Sequence, residues 1–218
     1  MLFGPGASRM ASSTAAAVLA ATLVLAACGA SEYRYVKSSS QRTFFRVPHE
    51  WKLYDEDQIL QNSEDSEEAK SSFKQASWSV GFDASPRPSV RNVLSAAGHP
   101  TGLVQVRDLT PAERDTFSQS SLRSLLLPFD PLSAEAVETS GVEVLGSREV
   151  DQDGLHGNEF LVNLKTREGG TVKWRQIALV DSRVSRAHVL AITCSIDCYE
   201  KNEGVIEKVV GSWTVKER

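Results

Sequence analysis

Three sulfurs carry most of the chemistry open to this sequence: Cys28, Cys194 and Cys198. Cys28 follows Leu25-Ala26-Ala27 at the end of an apolar run. A secretory signal cleaved at that point would make Cys28 the new N-terminus, with its sulfur the expected site of a lipid thioether. Cys194 and Cys198 stand four residues apart in Cys194-Ser195-Ile196-Asp197-Cys198, where a predicted strand passes into a predicted helix. A cysteine at a helix start has a depressed pKa and can exchange disulfides. Redox pairs favour a two-residue gap in a thioredoxin-like βαβ setting, whereas this gap is three and lies in a strand meander. The pair therefore reads as a structural disulfide, which persists oxidised outside the cytoplasm. An odd cysteine count in an exported chain needs a reason. Acylation of Cys28 supplies one, because it withdraws a single sulfur and leaves an even pair.

The residues before Cys28 support that reading. Residues 1–27 hold one charged side chain, Arg9, and then an apolar stretch over 15–27. A positive start, a short apolar run and small residues before the cleavage point make a secretory signal. The run is too short and too rich in alanine for a membrane span, which takes about 20 strongly apolar residues. It resembles a bacterial lipoprotein signal, with Met1 or Met10 as the start. The expected organisation is a signal peptide over 1–27, then lipidated Cys28 with a polar, serine-rich tether over 28–41, then one domain over 42–216. Two or more acyl chains, palmitate among them, anchor stably at ~0.8 kcal/mol per buried methylene. The expected location is the extracytoplasmic face of the cell membrane, held by lipid.

Removal of Arg9 leaves 23 basic against 28 acidic residues. That balance argues against a nucleic-acid partner and against electrostatic adhesion to anionic lipid.

Other chemistry finds little support. His49, His99, His156 and His188 show no ligand spacing, and the second histidine of a zinc-protease helix is missing after His49-Glu50. Asp151-Gln152-Asp153-Gly154 begins like a calcium loop but lacks the later ligands, so it reads as a solvated turn. There is no Gly-x-Ser-x-Gly elbow and no glycine-rich phosphate loop. No catalytic residue, metal ligand or cofactor is expected. Trp51, Trp78, Trp174 and Trp213 read first as core residues and second as the lining of a groove.

The elements that must position these residues follow from periodicity. Residues 43–47 and 51–54 read as strands, 55–75 as an acidic helix, and Trp78, Val80 and Phe82 as the inward face of a strand. Val90, Val93, Leu94 and Ala97 have helical spacing, and 103–107 reads as a strand. Thr110-Pro111-Ala112-Glu113 is a capping box opening a helix expected to run to Leu127, with Phe117, Leu122, Leu125 and Leu126 inward. Four strands follow over 142–150, 158–165, 171–180 and 186–194, joined by short turns that favour antiparallel neighbours. The last is apolar on both faces and should be central. Asp197 and its neighbours open a final helix that ends at Gly211, before a short strand over 212–215. The fold class is α+β, an antiparallel β-sheet flanked by helices.

Two segments resemble a known family. Phe45-Arg46-Val47-Pro48-His49-Glu50-Trp51 is similar to the opening of PsbP-like domains: an apolar residue, proline, two residues and tryptophan. Helix 199–210 followed by Ser212-Trp213-Thr214-Val215 resembles their closing helix and strand. The resemblance covers residues 42–216, and likeness to the actinobacterial lipoproteins of that family would also account for the cysteine signal. It implies an αβα sandwich around an antiparallel sheet, and a history of docking onto larger assemblies without chemistry. No metal-binding or partner-binding residue carries over, because no matching motif is present. The expected function is non-catalytic: a lipid-anchored lipoprotein that binds a protein or an envelope component. The alternative is a carrier or sensor of an apolar small molecule or lipid, held in a groove between sheet and helices.

Overall fold

The structure, a computed structural model, describes residues 31–63, 65–95, 98–166 and 169–216. Cys28 lies outside the described residues. Chain contacts divide the protein into Met1–Glu32 and Tyr33–Arg218, and the second unit holds every strand and helix among the described residues.

Strands β1 (Tyr33–Ser38) and β2 (Thr43–Pro48) pair antiparallel, so the sheet begins at Tyr33 and not after the expected tether over 28–41. The reason is visible in the sequence: Val36 and Ser38 turn inward while Tyr35 and Lys37 face solvent, an alternation that a serine-rich reading hides. Next come β3 (Lys52–Asp55), α1 (Glu56–Gln61), α2 (Glu67–Ala76), β4 (Ser77–Asp83) and β5 (Thr101–Asp108). Three short helices follow, α3 (Pro111–Asp115), α4 (Gln119–Arg123) and α5 (Ala134–Thr139). The chain closes with β6 (Glu143–Gln152), β7 (Leu155–Lys165), β8 (Thr171–Val180), β9 (Arg186–Ser195), α6 (Ile196–Ser212) and β10 (Thr214–Val215). Seven strands form one antiparallel sheet in the order β3-β4-β5-β9-β8-β7-β6, and β1-β2-β10 form a second.

The fold class is α+β, with an antiparallel sheet flanked by helices. β9 lies between β5 and β8 and packs on both faces, as its two apolar stripes require. Leu190, Ile192 and Cys194 meet Ile206 and Val209 of α6, together with Phe45 and Val47 of β2. Ala187 and Val189 meet Leu122 of α4, and Ala191 joins Phe160, Val162 and Trp174 under α5. Trp51 stacks on Phe82 with ring centroids 5.6 Å apart, and Trp213 is buried in the same cluster. Full burial of side chains of this size is worth roughly 1.5–3 kcal/mol each.

Four helix expectations change, and caps explain most of the change. The acidic helix over 55–75 is two helices: Asp55 caps α1 in a box with Gln58, and Ser66 restarts the chain as α2. Residues 90–97 do not form an α-helix. Val90–Asn92 is a single 3₁₀ turn and Leu94 takes a φ of 57°, while Ala97 lies outside the described residues. The capping box at Thr110 forms as expected, but its helix stops at Asp115, because Ser118 caps a fresh helix, α4. Serine side chains compete for backbone hydrogen bonds and so favour caps over helix interiors. Ser195, not Asp197, caps α6, which passes through Gly211 to Ser212. Helix α5, opened by Ser133, was absent from the expected elements.

Candidate functional site

Turns from both sheets enclose a pocket of about 370 Å³ at one end of the Tyr33–Arg218 unit. One wall is the β1–β2 turn, where Arg42 has a φ of 50° and its carbonyl accepts from the Lys216 N–H at 3.2 Å. The other wall is the β8–β9 turn, built around Asp181. Asp181 Oδ1 accepts from the N–H groups of Ser185 (2.6 Å) and Arg186 (2.8 Å), and its Oδ2 accepts from the Ser185 hydroxyl (2.5 Å). Burial alone would raise the Asp181 pKa, but these donors outweigh it and hold the carboxyl below its ordinary value.

Within that turn Val184 has a φ of 52°. A β-branched residue in the left-handed region is strained, and such strain gathers at binding and catalytic sites. The Val184 N–H donating to the Asp181 carbonyl at 2.9 Å holds it there. Leu109 at the end of β5 donates its N–H to the Ser185 carbonyl at 2.8 Å, so the turn is fixed to the large sheet.

The floor is buried and the rim is charged. Leu109, Leu155 and His188 form the floor. Burial first, and the Arg186 charge second, hold the His188 pKa down to about 4, with Asp181 and Asp108 pulling upward. His188 is therefore neutral near pH 7. Arg42, Arg114, Arg183 and Lys216 stand exposed at the rim. Arg186 is paired with Asp108, with Nε at 2.7 Å and Nη2 at 2.6 Å. Among the described residues Arg114, Arg183 and Lys216 have no ion-pair partner.

Serine, histidine and aspartate share this pocket without forming a nucleophilic triad. Ser185 gives its hydroxyl proton to Asp181, and His188 Nδ1 lies 3.4 Å from the Thr43 hydroxyl. A hydrolytic serine must instead donate to its histidine. As arranged, these groups do not activate Ser185 as a nucleophile.

Cys194 and Cys198 are joined by a disulfide, with Cα atoms 5.9 Å apart, at the junction of β9 and α6. Both are buried, which keeps the bond from exchange partners. His49 and His99 are exposed, His156 half-buried and His188 buried. Among the described residues no group of three or more His, Cys, Asp or Glu side chains could hold a metal ion. Asp153 (φ 47°) and Gly154 (φ 86°) form the tight β6–β7 turn where the calcium-like tetrad was noted. A second cleft, about 260 Å³, lies between α3, α4 and the sheet, with Phe117, Leu122 and Leu125 in its lining.

The sequence reading missed the four rim cations. They come from four separate stretches, and each alone reads as solvated surface. The one local signal is the turn sequence Asp181-Ser182-Arg183-Val184-Ser185-Arg186, with two arginines beside a carboxylate.

No family model matches the chain, and no curated protein matches it. Several solved structures are similar in layout. CyanoP, the cyanobacterial PsbP of Synechocystis, has a TM-score of 0.48 at 10% identity, covering 87% of this chain and 95% of that one. LpqN of Mycobacterium tuberculosis, involved in cell envelope biogenesis, has 0.44 at 14%, covering 85% and 91%. The Ran-binding protein Mog1p of Saccharomyces cerevisiae has 0.43 at 13%, covering 84% and 95%. These identities are too low to place any of their residues on this chain.

Proposed function

We propose that this chain is a lipid-anchored extracytoplasmic protein that performs no chemistry and uses the pocket between the β1–β2 and β8–β9 turns to dock a protein or another envelope component. The observation that carries the docking role is the pocket itself: a buried floor, a rim of cations and two strained turn residues, Arg42 and Val184. Anchoring rests on the Leu25-Ala26-Ala27-Cys28 signal and the cysteine arithmetic. Crosslinking in intact membranes tests docking. The wild-type chain should capture one specific neighbour, and a double variant, Arg114→Glu with Arg183→Glu, should lose it while keeping its thermal melt. Capture unaffected by the double variant would refute the docking site. Mass spectrometry of the native protein tests the anchor: the mature chain should begin at acylated Cys28, and an unmodified, uncleaved leader would refute it.

A second reading is favoured by the cleft lined by Phe117, Leu122 and Leu125, which lies between helices and sheet where an apolar ligand would sit. It requires a co-purifying lipid or small molecule in native mass spectrometry, displaced by Leu125→Arg. Ligand-free protein from native membranes would count against it.

A further inference from the structure

The chain is acidic overall, with a formal net charge of −4, yet the pocket gathers positive charge. Among the described residues five cations line it, Arg42, Arg114, Arg183, Arg186 and Lys216, against two carboxylates, Asp108 and Asp181. Both carboxylates already have partners. Asp108 is engaged by Arg186. Asp181 accepts three hydrogen bonds from Ser185 and Arg186, which hold it in the turn. Among the described residues three of these cations, Arg114, Arg183 and Lys216, have no ion-pair partner.

We propose that this pocket is an oxyanion site whose ligand carries a phosphate group. The proposal rests on the docking reading and names the chemistry that the dock recognises. Phosphate fits better than carboxylate for two reasons. A phosphomonoester brings about −1.5 to −2 charges at neutral pH, closer to the charge of those three rim cations than the single charge of a carboxylate. Guanidinium forks also match phosphate oxygens in pairs, and among the described residues no carboxylate pairs with Arg114 or Arg183 at the rim. A cavity of about 370 Å³ admits the phosphate together with a small part of the group that bears it. The buried floor of Leu109, Leu155 and neutral His188 sets a low-dielectric wall behind the anion, which strengthens its attraction to the rim. The same phosphate could belong to a soluble metabolite or to a lipid headgroup.

The test is titration of the full chain with inorganic phosphate, with acetate, and with vesicles of phosphatidylcholine containing or lacking phosphatidic acid. Saturable one-to-one phosphate binding is expected, tighter than acetate, and weakened about tenfold by Arg183→Gln and again by Arg114→Gln. Thermal melts of the two variants should match the wild type, since both side chains are exposed. A free-phosphate site points to a soluble ligand, and binding only to phosphatidic acid vesicles points to a headgroup; either supports the proposal when the variants abolish it. Absence of both, acetate binding as tightly as phosphate, or affinity unchanged in the double variant overturns it. If phosphate fails while the rim variants still lose the crosslinked neighbour, the ligand class falls and the dock stands. If phosphate binds and the neighbour is still captured by the double Glu variant, the dock falls and the oxyanion site stands.

Discussion

His188 Nδ1 on β9 lies 3.4 Å from Thr43 Oγ1 on β2, so the large and small sheets meet through a buried polar contact at the pocket floor. Thr43 also donates its hydroxyl to the Gln41 carbonyl at 3.1 Å, which ties the contact to the β1–β2 turn.

Burial of His188, with the Arg186 charge beside it, makes stability depend on pH. His188 has its folded pKa held to about 4, below the ordinary value of 6.5. Between those values the unfolded chain binds more protons than the folded one, so stability is full above pH 6.5 and declines as pH falls toward 4. The shift corresponds to about 3 kcal/mol across that window. Urea midpoints at pH 7 and pH 4.5 should differ accordingly, and His188→Asn should flatten the slope. An unchanged slope in the variant would show that other groups set it.

Arg175 on β8 lies 2.6 Å from Glu159 on β7, and both side chains are largely buried. Arg175 also pairs with Glu207 of α6, and Glu159 with Arg148 of the edge strand β6. Removing one member leaves its buried partner with only an exposed counter-charge, Arg148 for Glu159 or Glu207 for Arg175. Arg175→Met should cost about 3 kcal/mol, and Arg175→Met with Glu159→Gln together should cost markedly less than the sum of the two single changes. Additive losses in a double-mutant cycle would deny the coupling.

The Cys194–Cys198 disulfide closes a loop of only four residues' separation. Chain entropy then gives it about 2 kcal/mol. Cys194→Ala with Cys198→Ala should lower the unfolding free energy by that amount and leave the far-ultraviolet spectrum intact. Loss of the fold, or no loss of stability, would contradict a modest staple.

The capping box at Thr110 is reinforced from the sheet. The Glu113 carboxylate accepts from the Thr110 N–H at 2.8 Å and from Arg107 Nη2 at 2.7 Å, while the Glu113 backbone N–H donates to the Thr110 hydroxyl at 3.3 Å. The Arg107 hydrogen bond, against the upward pull of burial, holds the Glu113 pKa down to about 2. Its contribution is present above the ordinary 4.5 and is lost as pH falls through 2. Thr110→Ala should cost about 1 kcal/mol at pH 7. A neutral result would mean that α3 contributes nothing to stability.

How far the sequence speaks depends on how local the cause is. β9 is legible because both its faces are apolar, and the Phe160-Val162-Leu164 stripe is legible because one face is clean; both pack as that patterning requires. The cap at Thr110 is legible for the same reason, since every group it uses lies within four residues. Helix lengths are not, because Ser118 and Ser133 restart the chain where a continuous or empty stretch was expected. The tether is misread because β1 gains its stability from β2, whose register partners lie five to fifteen residues further on. The pocket is the least legible feature. Arg42, Arg114, Arg183 and Lys216 converge only after both sheets have formed, and an acidic net charge conceals them.

A photo-crosslinking residue placed at Ser40, on the pocket rim, and separately at Lys208, beside Tyr33 at the opposite end of β1, locates the dock in living cells. We expect a discrete adduct from position 40, lost with Arg114→Glu and Arg183→Glu, and none from position 208. Equal adducts from both positions, or an adduct from 208 alone, would contradict a docking site in the pocket.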